Sequence, residues 1–327
     1  MMTQRHAQLQ RWAQQIEQNP DLTLRLISGD ASFRKYYRAA NRIWVDAPPE
    51  TEKNREFIDN AQALQRTNIA APVVHHSDLQ QGFLCVSDLG DDSLLTRLND
   101  ESVSAWYRKA LQLLPQLTNI KLELPVFDAE FMARENSIFP EWLLEKHLQL
   151  TLSVAEKELL AETFALLAAN NLQQPQVVMH RDFHSRNLMV LADESLAVID
   201  FQDMVLGPLT YDAVSLLKDC YCRWPDTVIE QGVAQAYQLY NESGILSDVT
   251  YPQFVQWLDL TGMQRHLKAA GIFTRLYHRD GKSGYLKDIP RTLGYVRDVA
   301  ARYPQLATFA AWLAQHVLPA FEMDSAS

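Results

Sequence analysis

Two short runs hold the residue types that could do chemistry. His180-Arg-Asp-Phe-His-Ser-Arg-Asn187 sets an asparagine, Asn187, five positions after an aspartate, Asp182, and Ile199-Asp-Phe-Gln-Asp203 then brings a second aspartate, Asp200. An Asp-x-x-x-x-Asn step followed by another Asp suits phosphoryl transfer. Asp182 would take the proton of an attacking hydroxyl, and Asn187 and Asp200 would hold Mg²⁺ against a phosphate chain. This reaction depends on positioning and charge neutralisation, with no covalent nucleophile, so three such side chains nearly suffice.

These groups need elements that bring them to adjoining loop ends. Gln176-Val-Val-Met-His180 reads as a buried strand. Asn187 to Leu191 and Leu196 to Ile199 read as a hairpin, with turn residues Ala192-Asp-Glu-Ser195 between them. Upstream, Leu22 to Ile27, Phe33 to Arg38 and Arg42 to Val45 alternate like strands of an antiparallel meander. A helix follows, with Phe57, Ile58, Ala61 and Leu64 on one face, and then a strand from Phe83 to Asp88. Beyond residue 92 the pattern is mostly helical, and Ser153-x-x-Glu156 is a capping box before the catalytic hairpin. The expected fold is α+β and two-lobed, with a sheet-rich part over 1–90 and a helical part over 91–327.

At 327 residues the chain can bury one large core or two joined ones, and its 47% hydrophobic and 21% charged residues are the composition of an ordinary soluble globular protein. A formal charge of −10 argues against a nucleic-acid partner, which needs a dominant basic face. No apolar run is long enough to span a bilayer, and the polar first twenty residues do not resemble a signal peptide. Three cysteines, Cys85, Cys220 and Cys222, without metal-ligand spacing suit reduced thiols. The expectation is a cytoplasmic protein acting on small molecules, with no obligatory protein partner.

Ser28-Gly-Asp-Ala-Ser32-Phe33 is the candidate phosphate loop, in which Gly29 relaxes the backbone and main-chain N–H groups and the hydroxyls of Ser28 or Ser32 make the contacts. The third strand lacks the lysine that commonly meets the α- and β-phosphates and carries Asp46 at its end instead. Arg34, Lys35 and Arg38 on the neighbouring strand are the candidate substitutes. Arg34 is favoured among them, with Glu56 as its candidate ion-pair partner.

With these residues in view, the chain resembles the superfamily of aminoglycoside phosphotransferases and choline kinases, protein-kinase-like enzymes that phosphorylate small molecules. Ala31 to Tyr37, Val45-Asp-Ala-Pro-Pro-Glu50, His180 to Met189 and Gln264 to Phe273 are similar to the bacterial anomeric kinases of N-acetylmuramate and N-acetylglucosamine. The resemblance implies ATP as donor, Asp182 as catalytic base, Asn187 and Asp200 as Mg²⁺ ligands, and the Ser87 to Leu89 backbone as the adenine hinge. It implies that His180 braces the loop and that Asp212 is structural. The family usually has glycine before the asparagine. Here Ser185 and Arg186 stand there, which leaves Arg186 open as an acceptor or phosphate contact.

The implied product is a sugar 1-phosphate that feeds recycling of cell-wall sugars into nucleotide sugars. Arg265, Lys268, Arg275, Arg279, Lys282, Lys287 and Arg291 concentrate in one segment of an acidic chain, a patch that could receive an anionic acceptor or simply be a solvated helix face. Arg265 and His266 are the first acceptor candidates, and Tyr211, Tyr221 and Trp224 are either sugar-stacking or core aromatics. Three other readings are weighed: an aminoglycoside, choline or other hydroxyl acceptor; a nucleotide-binding pseudokinase; and a metal hydrolase using His180, Asp182 and His184.

Overall fold

A computed structural model of the chain describes residues 4–28 and 33–325. Gly29 and Ser32 lie outside the described residues, as does the side chain of Ser28. The fold is mixed α+β, an antiparallel sheet in the N-terminal region followed by a mostly helical remainder. The chain separates into two compact units, one of residues 1–97, 119–123 and 186–204 and one of 98–118, 124–185 and 205–327.

The first unit opens with helix α1 (Gln4–Ile16) and strands β1 (Arg25–Ser28), β2 (Lys35–Ala39) and β3 (Arg42–Asp46). Helix α2 (Asn54–Arg66) and strands β4 (Val74–Asp78) and β5 (Phe83–Ser87) complete the sheet, whose order is β1-β2-β3-β5-β4, antiparallel throughout. The first strand is displaced from the expected Leu22 to Ile27. Leu22 and Leu24 are instead buried beside Leu9, Tyr37, Trp44 and Phe83 in the core under α1.

Asp46 docks the same helix, accepting from Arg5 Nε at 2.8 Å and Arg5 Nη2 at 2.5 Å, while Arg5 Nη2 also donates to the Gln81 carbonyl at 2.8 Å. The third strand therefore ends in a carboxylate because it receives a guanidinium from the N-terminal helix.

The expected hairpin is formed by β7 (Leu188–Val190) and β8 (Leu196–Val198), paired Leu188 to Val198. Its turn is held by Asp193, whose carboxylate accepts from the N–H and hydroxyl of Ser195. The hairpin packs within the first unit, through bridges Ala70 to Ala197 and Ser93 to Met189 and a bond from Val198 N to Ala70 O at 2.7 Å. The contacts thus do not follow a single cut of the chain at residue 90.

In the second unit, β6 (Gln176–Met179) pairs with β9 (Val205–Pro208), and helix α8 (Tyr211–Leu217) follows at once. Helix α3 (Leu94–Arg97) belongs to the first unit and helices α4 (Val103–Leu111), α5 (Leu114–Thr118) and α9 (Asp226–Glu242) to the second, in which α6 (Ala129–Asn136) and α7 (Val154–Leu172) pack against the 30-residue α10 (Tyr251–Asp280), which ends at the left-handed Gly281. The capping box forms as expected: Ser153 N donates to Glu156 Oε2 at 2.8 Å and Glu156 N to Ser153 Oγ at 3.3 Å. Gly271 lets α10 approach another backbone, since a Cβ there would lie 2.5 Å from the Ile138 carbonyl oxygen.

Candidate active site

In the second unit the 180–185 loop begins where β6 ends. Asp212, at the start of α8, accepts from His180 N at 2.6 Å and from Arg181 N at 3.0 Å. These bonds hold Arg181 at φ 74°, a left-handed conformation that a bulky residue adopts only when its surroundings enforce it. His180 is fully buried, and its Nδ1 accepts from Asp182 N at 3.3 Å. The His180 and Asp212 positions therefore act on the loop backbone and leave the Asp182 carboxylate 42% exposed.

A ring of charge surrounds that carboxylate within the same unit. Arg265 Nη2 lies 4.0 Å from Asp182 Oδ1, and Arg181 Nη2 donates to Glu135 Oε1 at 2.5 Å. Lys268 Nζ lies 3.6 Å from Glu135 and donates to the Tyr211 hydroxyl at 2.9 Å. Desolvation alone would raise the pKa of Asp182, but Lys268, His184, Arg265 and Arg181 outweigh it and hold the group well below the usual carboxylate range. Asp182 is an anion at any physiological pH.

Two expectations about the acceptor side change. His266 is fully buried, its Nε2 lies 2.7 Å from the Lys218 carbonyl oxygen and its ring stacks on Tyr295 at 4.7 Å. Burial first, and then the charge of Arg265, push its pKa down to about 3, so it is a neutral packing group and offers no surface to a sugar. The basic segment also does not act as one patch. Arg265 and Lys268 are buried beside the 180–185 loop, whereas Arg279 pairs with Asp280 and Arg291 with Asp288. Tyr211 is a core aromatic packed edge-on against Phe127, and Tyr221 packs edge-on against His184. A cavity of about 620 Å³ among Ala133, Asn136, Leu160 and Phe164 is lined by none of the expected site residues.

In the first unit, Asn187 Nδ2 donates to Asp200 Oδ2 at 3.3 Å, and Gln202 Nε2 donates to Asp200 Oδ1 at 2.7 Å. Asp200 is exposed and held at φ 64°. Asn60 Nδ2 donates to the next carbonyl, Phe201 O, at 2.8 Å, and the Phe201 ring packs on Phe57 of α2 at 4.9 Å. Two neighbouring side chains offering hard oxygen donors suit Mg²⁺, which keeps waters and takes further oxygens from phosphates.

Arg34, just before β2 in the same unit, is buried. Its Nε is 3.1 Å from Glu52 Oε2, its Nη2 donates to Lys53 O at 3.0 Å, and its guanidinium covers the Phe57 ring at 5.0 Å. The ion-pair partner is thus Glu52, just before α2, and not Glu56, which lies on the exposed face of that helix. Burial raises the pKa of Tyr36, an effect moderated by Arg34 and increased by Asp200. The other candidate cations are differently disposed: Arg38 is held by Asp88 and Asp91, and Lys35 is exposed. Phe33 is 69% exposed, and its N–H donates to Glu52 Oε1 at 3.0 Å. Ser87 Oγ accepts from Val73 N at 2.9 Å, and Leu89 and Arg186 are half-buried.

Residues 23–247 match the phosphotransferase enzyme family. The chain belongs to that family. It is 36% identical to the N-acetylmuramate/N-acetylglucosamine kinase of Pseudomonas putida over 90% of this chain and 89% of that one. It is 35% identical to the protein of the same name from Neisseria meningitidis serogroup B over 96% of each chain. The solved ADP-bound aminoglycoside phosphotransferase APH(2'')-Ib shares the fold at a TM-score of 0.60 and 12% identity, over 90% of this chain and 98% of that one.

Within this phosphotransferase, several residues of the site were not visible as such in the sequence. Glu135 reads as one more helix carboxylate, and Glu52 as a surface residue ahead of a helix; only the fold shows each meeting a buried cation. Asp219 gives no signal at all, because it lies in an aperiodic stretch after α8. Lys53 and Asp203 pair at 2.6 Å, although 150 positions separate them in the sequence.

Proposed function

We propose that this phosphotransferase moves the γ-phosphate of ATP to the anomeric hydroxyl of N-acetylmuramate or N-acetylglucosamine, giving the sugar 1-phosphate and ADP. The observation that carries the acceptor is the 36% identity, over 90% of the chain, to a relative named for those two sugars. In the transfer a bond forms between the sugar oxygen and the γ-phosphorus, the bond to the β-bridging oxygen breaks, and the hydroxyl proton passes to Asp182. Asp182 is suited to this because it is ionised, solvent-facing and fixed through its own N–H. Asn187 and Asp200 would hold Mg²⁺, which supplies charge neutralisation on the phosphate oxygens when bound.

Arg34 fits the part of the missing third-strand lysine, because its pairing with Glu52 and its stacking on Phe57 reproduce a cation anchored ahead of a helix. Its neighbours Phe57 and Phe201 lead directly to Asp200. Gly29, Ser32 and the Ser28 hydroxyl would complete the phosphate loop, and the Ser87 to Leu89 backbone would receive the adenine. The product would serve the recycling of cell-wall sugars in the cytoplasm.

Phosphorus NMR of the product formed from ATP and N-acetylmuramate tests this reading. The expected signal is a sugar 1-phosphate, absent with Asp182→Ala. Transfer to another carbon, or turnover that survives Asp182→Ala, would refute it.

A further inference from the structure

We propose that Asp219 is a positioning residue that, with Ser185 as its partner, fixes the exit of the 180–187 loop as Asp212 fixes its entry. This rests on the reading of Asp182 and Asn187 given above. Asp219 is fully buried, and its Oδ2 accepts both from Ser185 N at 3.0 Å and from Ser185 Oγ at 2.5 Å. Its Oδ1 accepts from Tyr221 N at 2.8 Å. One carboxylate thus ties the loop to the strand of chain that follows α8.

Ser185 is itself fully buried, so its hydroxyl has no solvent to turn to. The next residue, Cys220, extends the connection, since Arg265 Nη1 lies 3.4 Å from its Sγ and the other end of that guanidinium lies 4.0 Å from Asp182. Moving Asp219 therefore disturbs the Asp182 surroundings by two routes, the loop backbone and Arg265.

The two carboxylates divide the loop between them. Asp212 takes the N–H groups of His180 and Arg181, and Asp219 takes Ser185, so every residue from Asp182 to His184 lies between two fixed points. Ser185 precedes Asn187 by only two positions. A glycine at 185 would keep the N–H bond to Asp219 but lose the hydroxyl bond and gain backbone freedom. Ser185 and Asp219 then form one device: the hydroxyl restores the rigidity that a glycine would give up. Its effect is on geometry, and a displacement of about 1 Å in a positioned group can cost up to about 100-fold in rate.

The test uses the full chain with Ser185→Ala, Ser185→Gly, Asp219→Asn, Asp219→Ala and the Ser185→Ala/Asp219→Ala pair. The readouts are kcat, KM for ATP, the Mg²⁺ concentration giving half-maximal rate, and the unfolding temperature. Ser185→Ala and Ser185→Gly should each lower kcat about tenfold and raise the Mg²⁺ requirement, with KM for ATP within about twofold. Asp219→Ala should lose about 100-fold and Asp219→Asn less, because an amide oxygen still accepts from the Ser185 N–H. The pair should be no worse than Asp219→Ala alone.

The proposal is overturned if Ser185→Ala and Asp219→Asn keep wild-type kcat per folded molecule, or if the losses in the pair multiply. Should Asp219→Ala not fold, Ser185→Ala and its Mg²⁺ dependence decide. Wild-type turnover that is lost in Asp182→Ala establishes the underlying reaction independently, so a null result at 185 and 219 counts against this pairing alone.

Discussion

Replacing Arg34 by methionine keeps most of the side-chain volume over Phe57 but removes the only described guanidinium paired with Glu52. Arg34 is 1% exposed and the Glu52 side chain 9%, so the variant strands a carboxylate in a nearly dry site. Breaking a buried pair from one side costs about 3–5 kcal/mol, a large share of the roughly 5–15 kcal/mol by which domains are stable. A rise in KM for ATP in Arg34→Met alone would thus be ambiguous, because a loosened sheet would raise it too. The informative variant is Arg34→Met with Glu52→Gln, in which no charge is left buried and the glutamine oxygen still accepts from Phe33 N. Replacement of both partners is often close to neutral, so urea unfolding should return to within about 1–2 kcal/mol of wild type. If Arg34 also meets the phosphates, KM for ATP should stay raised by about tenfold or more in this restored protein. Recovery of both stability and KM would refute that role and leave Arg34 as a structural cation.

Two further predictions concern the helical unit. For His266, a folded pKa of about 3 lies below the ordinary value, so the folded state holds fewer protons and stability falls as pH drops below about 6.5. Between pH 7 and pH 5 this group should remove about 2 kcal/mol, and His266→Gln should lose that much less over the same range; equal losses in urea unfolding at the two pH values would dismiss the assignment. Gly271→Ala should destabilise by about 1–3 kcal/mol although alanine favours helices, because its Cβ meets the Ile138 backbone at 2.5 Å; a stabilised variant in thermal unfolding would show that α10 can shift at little cost.

The elements governed by local rules were legible. Turn chemistry and alternation gave the hairpin carrying Asn187, and the capping box marked the start of α7 because Ser153 and Glu156 satisfy each other's backbone within one turn. Strand β4 was harder, since Val-His-His-Ser-Asp at the sheet edge is mostly exposed and carries no apolar alternation. Pairings across long stretches of sequence were not legible at all. Nothing in the order of residues says that Asp46 will receive Arg5, or that Arg34 will choose Glu52 over Glu56 one turn later. The absent third-strand lysine looked like a defect for this reason. Position 46 is occupied with holding α1, and the buried cation of this region is Arg34, paired with Glu52 ahead of α2.

The basic C-terminal segment shows how cations that are neighbours in sequence can still act apart. Arg265, Lys268, Arg275 and Arg279 all lie on α10, and at 100° per residue they fall on one face. A shared face is not a shared place, however. At 1.5 Å per residue, Arg279 lies about 21 Å along the axis from Arg265, more than two Debye lengths at physiological salt. The near end of the stripe is buried and matched by Asp182 and Glu135, while Arg279 at the far end is exposed and paired with its neighbour Asp280. An anionic acceptor would therefore meet Arg265 and Lys268 only as part of a charge network already engaged with Asp182 and Glu135, and the far cations contribute little beyond a solvated helix end. Reversing Arg279 to glutamate should then leave KM for N-acetylmuramate within about twofold at physiological salt. A several-fold increase would show that the stripe works as one field after all.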